Sequence, residues 1–405
     1  MIIEKRIPLL KDHHTHPSGF ATISGCLDIS SITDKLTALS LIKKQKENII
    51  VVVGWNDSFY TFTKKEIDSL PPLFICNISF HKFLMNQNAK DKLYNSHKHI
   101  VTHIEDQSFV EANLFSILQF MVNIKPLSTQ LLRSFYDRIL EEQGIWYAED
   151  MMVPDQATIT KYDEAGLLEK RTLFWVDLKT YNSLNLENQT KVYGIKLFLD
   201  GALGSRGAAM EKPFLSGENG ILIYSDKKLE KIVGDINSSA KPVAIHAIGG
   251  KAISQAINTL ISIDKTGEGL PSVIRMEHCQ FISKENAMKA KSLGIILSMQ
   301  PNFSYDSVQY KDRISQNYCR QNNPFRMLID KAGFVPGKDL IFGSDGIPHG
   351  IEYGLKMSLF PPFGTQKLTL DEFVAGYCME DMSQGYIDIK IDENKLLISY
   401  KISVR

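Results

Sequence analysis

The chain has no Cys-x-x-Cys pair, no apolar stretch approaching bilayer length and no net charge. Its five cysteines (Cys26, Cys76, Cys279, Cys319 and Cys378) are scattered and odd in number. That excludes a disulfide scaffold and fits a reducing compartment. Spanning a membrane takes ~20 consecutive apolar residues, and none of the runs comes close, so no membrane partner is expected. Lys plus Arg and Asp plus Glu both number 46. No global field therefore favours nucleic acid or an anionic surface. The opening residues, Met-Ile-Ile-Glu-Lys-Arg-Ile-Pro, have neither a long apolar core nor a small-residue cleavage site, and no secretory signal is expected. Internal repeats and low-complexity segments are missing as well. The expectation is a soluble cytoplasmic protein.

What is present is a large α/β chain. With 405 residues and 43% hydrophobic content it can bury a sizeable core. Short apolar runs alternate with helix-like stretches over most of the length. Eight runs read as strands, at roughly 7–13, 144–150, 172–178, 194–200, 242–247, 272–278, 294–299 and 339–345. Most are continuously apolar, as strands buried on both faces should be. Segments 227–237, 251–263 and 284–293 have helical periodicity and the length to cross back over a parallel sheet. The stretch between the first and second strands is far longer than a usual connection. It holds two more strand-like runs, 48–53 and 73–79, a helix over 114–122 and a capped helix beginning at Ser128. At the C-terminus, residues 386–391 and 396–404 alternate polar and apolar around Asp392-Glu393-Asn394, a hairpin able to pair with the first residues of the chain. The predicted organisation is a parallel barrel over 1–380, an insertion or cap over 45–143 and a terminal hairpin over 381–405.

Five of the runs end on a residue able to bind a divalent metal. They lead to His14 and His16, to Lys196, to His246, to His278 and to Asp345. His14 and His16 are two apart, so a strand points both side chains to one face, and Asp12 shares that face. Asp12 could orient a ligating imidazole from behind. Taken singly, His246 and His278 read as satisfied core histidines and Asp345, in Gly-Ser-Asp-Gly, as a turn former. A common position at the ends of successive strands makes them one rim site. His97-Lys98-His99 has the same spacing but lies in a polar stretch and reads as a solvated surface run. Lys196 is costly to bury as a cation. It can react with carbon dioxide to give a metal-bridging carbamate, or its ammonium can reach Asp200 or Asp345.

These residues resemble the amidohydrolase superfamily, which carries a His-x-His pair, a lysine, two histidines and an aspartate in this order. Within it the chain is similar to the amidohydrolase-3 group that includes N-substituted formamide deformylases. The resemblance rests on Lys196-Leu-Phe-Leu-Asp-Gly-Ala-Leu-Gly-Ser-Arg-Gly-Ala-Ala, Val243-Ala-Ile-His-Ala-Ile-Gly, Arg275-Met-Glu-His-Cys-Gln and Leu297-Ser-Met-Gln-Pro. Gly54-Trp-Asn-Asp and the stretch from His81 to Asn86 add to it.

The resemblance implies a distorted TIM (β/α)8 barrel with a long insertion after strand 1. It implies one or two divalent ions, most often zinc, held by His14, His16, Lys196 as a carbamate, His246, His278 and Asp345. The chain departs from the group in two ways. With the first donor at position 14, the N-terminal half of the usual β-sandwich is expected to be missing, so that domain is reduced or absent. Gly249-Gly250-Lys251 also stands where the group has Gly-Asp-Arg.

The expected reaction is hydrolysis of a non-peptide carbon–nitrogen bond by a metal-activated water, with Asp345 as general base and acid. His81 is a second catalytic candidate, as a polarising donor, or else a surface or core histidine. Arg206, between Gly204 and Gly207, could bind a substrate carboxylate or carbonyl, or pair with a rim acid such as Asp200. Trp55 either lines the pocket or sits in the core. The alternatives are a deaminase of the same superfamily and a non-catalytic metal-binding protein. A deaminase of the adenosine type is disfavoured because His246-Ala-Ile-Gly lacks that type's glutamate. A homo-oligomer is compatible with the surface that a missing sandwich would free.

Overall fold

A computed structural model describes residues 2–78, 82–267 and 269–405. The chain divides into two compact units, Met1–Pro17 with Ser134–Arg405, and Ser18–Arg133.

In the first unit, β1 (Ile2–Pro8) leads into β2 (Leu10–Thr15). The second unit carries β3 (Leu27–Asp28), β4 (Ile50–Trp55), β5 (Leu73–Asn77) and β6 (Phe83–Met85). The chain returns to the first unit with β7 (Ile145–Asp150), β8 (Trp175–Val176), β9 (Gly194–Phe198), β10 (Val243–Ala247), β11 (Ile274–His278), β12 (Ile296–Met299) and β13 (Leu340–Phe342). It ends on β14 (Gly385–Asp392) and β15 (Leu397–Val404).

β8 to β13 form a six-stranded parallel sheet in sequential order. Its central strands are almost wholly buried, which is why they read as continuous apolar runs. The helices Asp226–Ser238, Gly250–Thr266 and Lys284–Ser292 make the connections and bury one apolar stripe each.

β2 and β7 pair in parallel as a separate two-stranded sheet. A bridge from Asp150 to Phe174 links β7 towards β8. On the other side, Asp345 N–H donates to the His14 carbonyl at 2.6 Å and Ser344 N–H to the Asp12 carboxylate at 2.9 Å. The eight predicted strands thus occur in barrel order, but the strand ladder is not closed. The ladder is interrupted between β7 and β8 and between β2 and β13, and the β2–β7 pairing itself shifts register between Leu10 and Lys11 and again between Asp12 and Thr15.

The terminal hairpin forms as the alternation predicts. β14 pairs antiparallel with β15 on one side and with β1 on the other, Ile7 facing Ile387. This three-stranded sheet belongs to the first unit, so 381–405 is not a separate body.

The second unit is an α/β sheet in the order β3-β4-β5-β6. Val51, Val53, Phe74 and Cys76 pack on one side with Ile117 and Phe120, while Ile50, Val52, Leu73 and Ile75 pack on the other with Ala38 and Ile42. Period-2 alternation puts neighbouring residues on opposite faces, so both faces are covered. The unit spans 18–133 rather than 45–143. At its start, β3 pairs with β4 and so brings residues before 45 into it. At its end, Tyr136 stacks edge-on to Tyr162 in the first unit.

Candidate metal centre

The donors converge beyond the C-terminal strand ends of the first unit. His16 Nε2 lies 3.0 Å from Asp345 Oδ1, and His14 Nε2 lies 3.7 Å from the same oxygen. One donor atom from each of His14, His16 and Asp345 falls within 4.8 Å of the others. Atoms bound at about 2.0–2.1 Å to one tetrahedral ion sit roughly 3.3 Å apart, so the trio fits a small divalent cation. His278 completes a cluster of rings, with centroids 4.6 Å from His14 and 4.5 Å from His246.

Backbone geometry aims His278. Arg275 and Glu277 share one face of β11, and their side chains bond each other. A regular strand would point His278 the opposite way. Left-handed φ values of 70° at His278 and 48° at Cys279 break the alternation and turn the ring towards His14 and His246. Asp345 and Arg206 also take this conformation, at 55° and 60°. Such non-glycine outliers cost of order 1 kcal/mol or more each and cluster at functional sites.

Burial favours the neutral form of His14, His246 and His278, the form that donates to a metal. It holds His14 and His278 well below the ordinary histidine range, with Lys196 adding to the effect on His14 and the His246 ring on His278. Burial, then Lys196, pushes His246 down to about 3. Two ring nitrogens in the cluster, His246 Nε2 and His16 Nδ1, are buried without a hydrogen-bond partner. His246 Nε2 stands 3.4 Å from Asp200 Oδ1, close enough for attraction but not aligned for a hydrogen bond.

Lys196 is 2% exposed, and its Nζ makes no hydrogen bond. Burial pushes the amine down to about 8 against the pull of Glu277 and Asp345. The ammonium does not reach Asp200, whose carboxylate instead accepts the backbone N–H groups of Ala209, Ile248 and Gly249 at 2.9, 3.0 and 2.8 Å. An orphaned buried amine beside a carboxylate and three imidazoles fits an anionic or metal-bound lysine derivative better than a free cation.

Several expectations change. Asp12 touches no imidazole; it accepts from the backbone N–H groups of His14 and Ser344 and from the Ser344 and Tyr377 hydroxyls. It ties β2 to the end of β13, and the orienting partners lie elsewhere. His14 Nδ1 meets Glu277 Oε2 at 2.6 Å, and His278 Nδ1 meets Gln300 Oε1 at 2.8 Å. Sequence reasoning missed Glu277, Gln300 and, behind them, Arg275 and Glu149. The available signal was Arg275 and Glu277, two apart on an otherwise apolar strand, since charges so placed must be buried together and paired.

Arg206 does not pair with Asp200. Its Nε is buried without a partner, and it contributes, after the Ser216 hydroxyl, to holding the Glu218 carboxyl low. Trp55 is 1% exposed in the core of the second unit, its indole N–H bonded to the Tyr60 carbonyl at 3.0 Å. Gly54, at φ 78°, and a register shift between Val52 and Trp55 turn the ring onto the Ile50–Val52 face, so it offers no pocket surface. His81 lies outside the described residues. In the His97-Lys98-His99 run, Lys98 and His99 are exposed, as predicted, while the His97 ring packs edge-on to Phe120.

A parallel α/β sheet with imidazoles, a buried lysine and an aspartate gathered at its strand ends is the arrangement that metal-dependent hydrolysis needs. Residues 166–351 match the model described as the amidohydrolase family. YtcJ of Bacillus subtilis (strain 168), an amidohydrolase by name, is 24% identical over 374 residues, covering 82% of this chain and 69% of that one. Protein LONG AFTER FAR-RED 3 of Arabidopsis thaliana is 29% identical over 159 residues, 38% of this chain and 27% of the relative. Among solved structures, an uncharacterized metal-dependent hydrolase of Pyrococcus horikoshii OT3 superposes with TM-score 0.70 at 22% identity, over 88% of this chain and 74% of its own. One from Pyrococcus furiosus gives 0.71 at 18% identity, over 92% and 80%. At these identities the structural likeness speaks for the fold. Over residues 166–351 the chain is similar to the amidohydrolase superfamily, and within it to the amidohydrolase-3 group. Among the described residues no helix is long and apolar enough to cross a membrane.

Proposed function

We propose that the protein hydrolyses a non-peptide, amide-type carbon–nitrogen bond in a small molecule. The observation that carries this reading is the convergence of His14, His16 and Asp345 within 4.8 Å, beside the unpartnered Lys196 Nζ and His246 Nε2. His14, His16, His246, His278 and Asp345 would hold one or two divalent cations, and nitrogen and oxygen donors at tetrahedral spacing favour zinc. A bound cation supplies Lewis acidity and lowers the pKa of water towards ~7.

The remaining steps fall to the chain. Asp345 has a side chain 18% exposed beside the buried histidines, so it can take a proton from an attacking water and pass it to the departing amine. His14 and His278 place Nδ1 against the Glu277 and Gln300 oxygens, which leaves Nε2 of each free to donate to a cation. Lys196 would add carbon dioxide through its neutral amine, forming an N–C bond and releasing one proton, to give an anionic bridging oxygen donor. Arg206, with an unused Nε, would bind a carboxylate or carbonyl of the substrate.

The test is metal analysis coupled to a panel of amides, cyclic amides and esters, with wild type compared to Asp345→Asn. Turnover that needs metal and is lost in the variant supports the reading. Equal turnover in the variant overturns the proton-transfer role, and a metal-replete protein inert on the whole panel points to a non-catalytic metal binder. Turnover of ring amines with release of ammonia, and none of amides, points to the deaminase.

A further inference from the structure

Beneath the donors lies a buried chain of charges that metal binding by itself does not require. Arg275 donates from Nε to Glu277 Oε1 at 3.0 Å and from Nη2 to Glu277 Oε2 at 3.3 Å. Its Nη1 pairs with Glu149, and Nη2 also reaches the His13 carbonyl at 2.7 Å and Ser298 Oγ at 3.1 Å. Glu149 in turn meets His13 Nδ1 at 2.8 Å and accepts from the Trp175 indole at 3.1 Å. Arg275, Glu149 and Glu277 are each at most 3% exposed. One guanidinium stands between two carboxylates, and the second carboxylate spends its remaining capacity on His14.

We infer that Glu277 is a positioning residue of the metal centre, holding His14 with its proton on Nδ1 and its Nε2 lone pair turned to the cation. The inference rests on the metal-site reading above. An ionised carboxylate can only accept hydrogen bonds. With Glu277 Oε2 at 2.6 Å from His14 Nδ1, that nitrogen must donate and Nε2 is left unprotonated. Nε2 then faces Asp345 Oδ1 at 3.7 Å, a lone pair opposite an anion, which is unfavourable until a cation comes between them.

Arg275 donates to both Glu277 oxygens, and this charge-assisted fork is the partner of an ionised carboxylate. The two strand-mates are therefore unequal. His16 Nδ1 has no partner, and His278 Nδ1 leans on a neutral amide oxygen. A carboxylate behind an imidazole fixes its orientation and strengthens it as a donor.

The experiment uses the full chain, stripped of metal, with zinc affinity read by competition against a chromophoric chelator and melting followed without metal. Glu277→Gln keeps an oxygen that accepts from Arg275 and leaves Arg275 and Glu149 balanced one to one, so the metal-free melting temperature should stay near wild type. Zinc affinity should fall by about 10- to 100-fold, as for other partners behind metal-bound histidines. Glu149→Gln leaves Glu277 ionised but shared with no second acid, and should weaken zinc by less than about tenfold. It also decides the matter if Glu277→Gln fails to fold.

Two results would overturn the inference. One is unchanged affinity in both variants. The other is a fall in metal-free melting temperature with affinity intact, which would make the chain merely structural. If the wild type itself takes up no zinc, the metal-site reading fails first, a result distinct from either.

Discussion

His16 Nε2 and Asp345 Oδ1 stand 3.0 Å apart, joining the end of the first parallel strand to the turn after the last. An aspartate there can serve a cation and a proton in turn, because its side chain stays partly open beside the buried His14. Asp345→Asn keeps the size and loses the ability to accept a proton. We expect kcat to drop by about 100-fold or more in steady-state assays on whichever amide the panel identifies.

Lys196 offers a test that separates bridging from packing. An amine 2% exposed without a hydrogen bond contributes little to folding as a polar group. Lys196→Met should therefore melt, metal-free, at or above the wild-type temperature, yet bind less metal per chain. Bicarbonate should raise the metal stoichiometry of the wild type and leave the variant unchanged. Full wild-type stoichiometry in the variant would remove the bridging role.

His349 gives a pH signature. It shares a 2.7 Å hydrogen bond with the Thr15 hydroxyl, and burial, with nearby His16 adding to it, pushes it down from 6.5 to about 3. As pH falls from 6.5 towards 3, the unfolded chain binds a proton at this position that the native chain refuses. Stability from this group is thus whole above 6.5 and is lost through the window below it. His349→Gln should flatten the dependence of melting temperature on pH in that window and leave it unchanged above pH 7. An identical acid limb in both proteins would contradict the assignment.

Gly343 has no room for a side chain. A Cβ there would lie 2.4 Å from the His14 backbone nitrogen and 2.8 Å from Asp12 Oδ1. Backbone cannot yield as a flexible side chain does, so Gly343→Ala must push β2 aside. We expect a loss of about 1–3 kcal/mol in denaturant unfolding, the usual cost of overpacking. Zinc should also bind more weakly, since the displaced strand carries His14 and His16.

Chelation gives a general check on the centre. A ligand that binds only the native state at a hundred times its Kd stabilises by about 2.7 kcal/mol. Stripping the metal should lower the melting temperature, and zinc should restore it in wild type.

How much could be read without coordinates follows from periodicity. Buried parallel strands must be apolar on both faces, so the eight runs and their order were visible, and donors at their ends stood out against an apolar background. The terminal hairpin was visible because a sheet exposed on one face alternates. Trp55 was not decidable, because the bulge at Gly54 that reverses its face is a matter of one left-handed glycine. Asp12 was misplaced for a related reason. It shares a face with His14 in an ideal strand, but the register shift within β2 hands it to Ser344 instead.

The sequence by itself determined the fold class, the order of the strands and the list of candidate donor residues, because residue type and spacing are local properties that burial constrains. Tertiary structure alone decided that His14, His16 and Asp345 meet within 4.8 Å. It also decided that His278 turns inward on a left-handed backbone, and that the partner behind His14 is Glu277 rather than Asp12. These depend on which side chains from strands distant in sequence share one buried layer. There, each polar group must find its partner across the sheet, because water is not available to supply one.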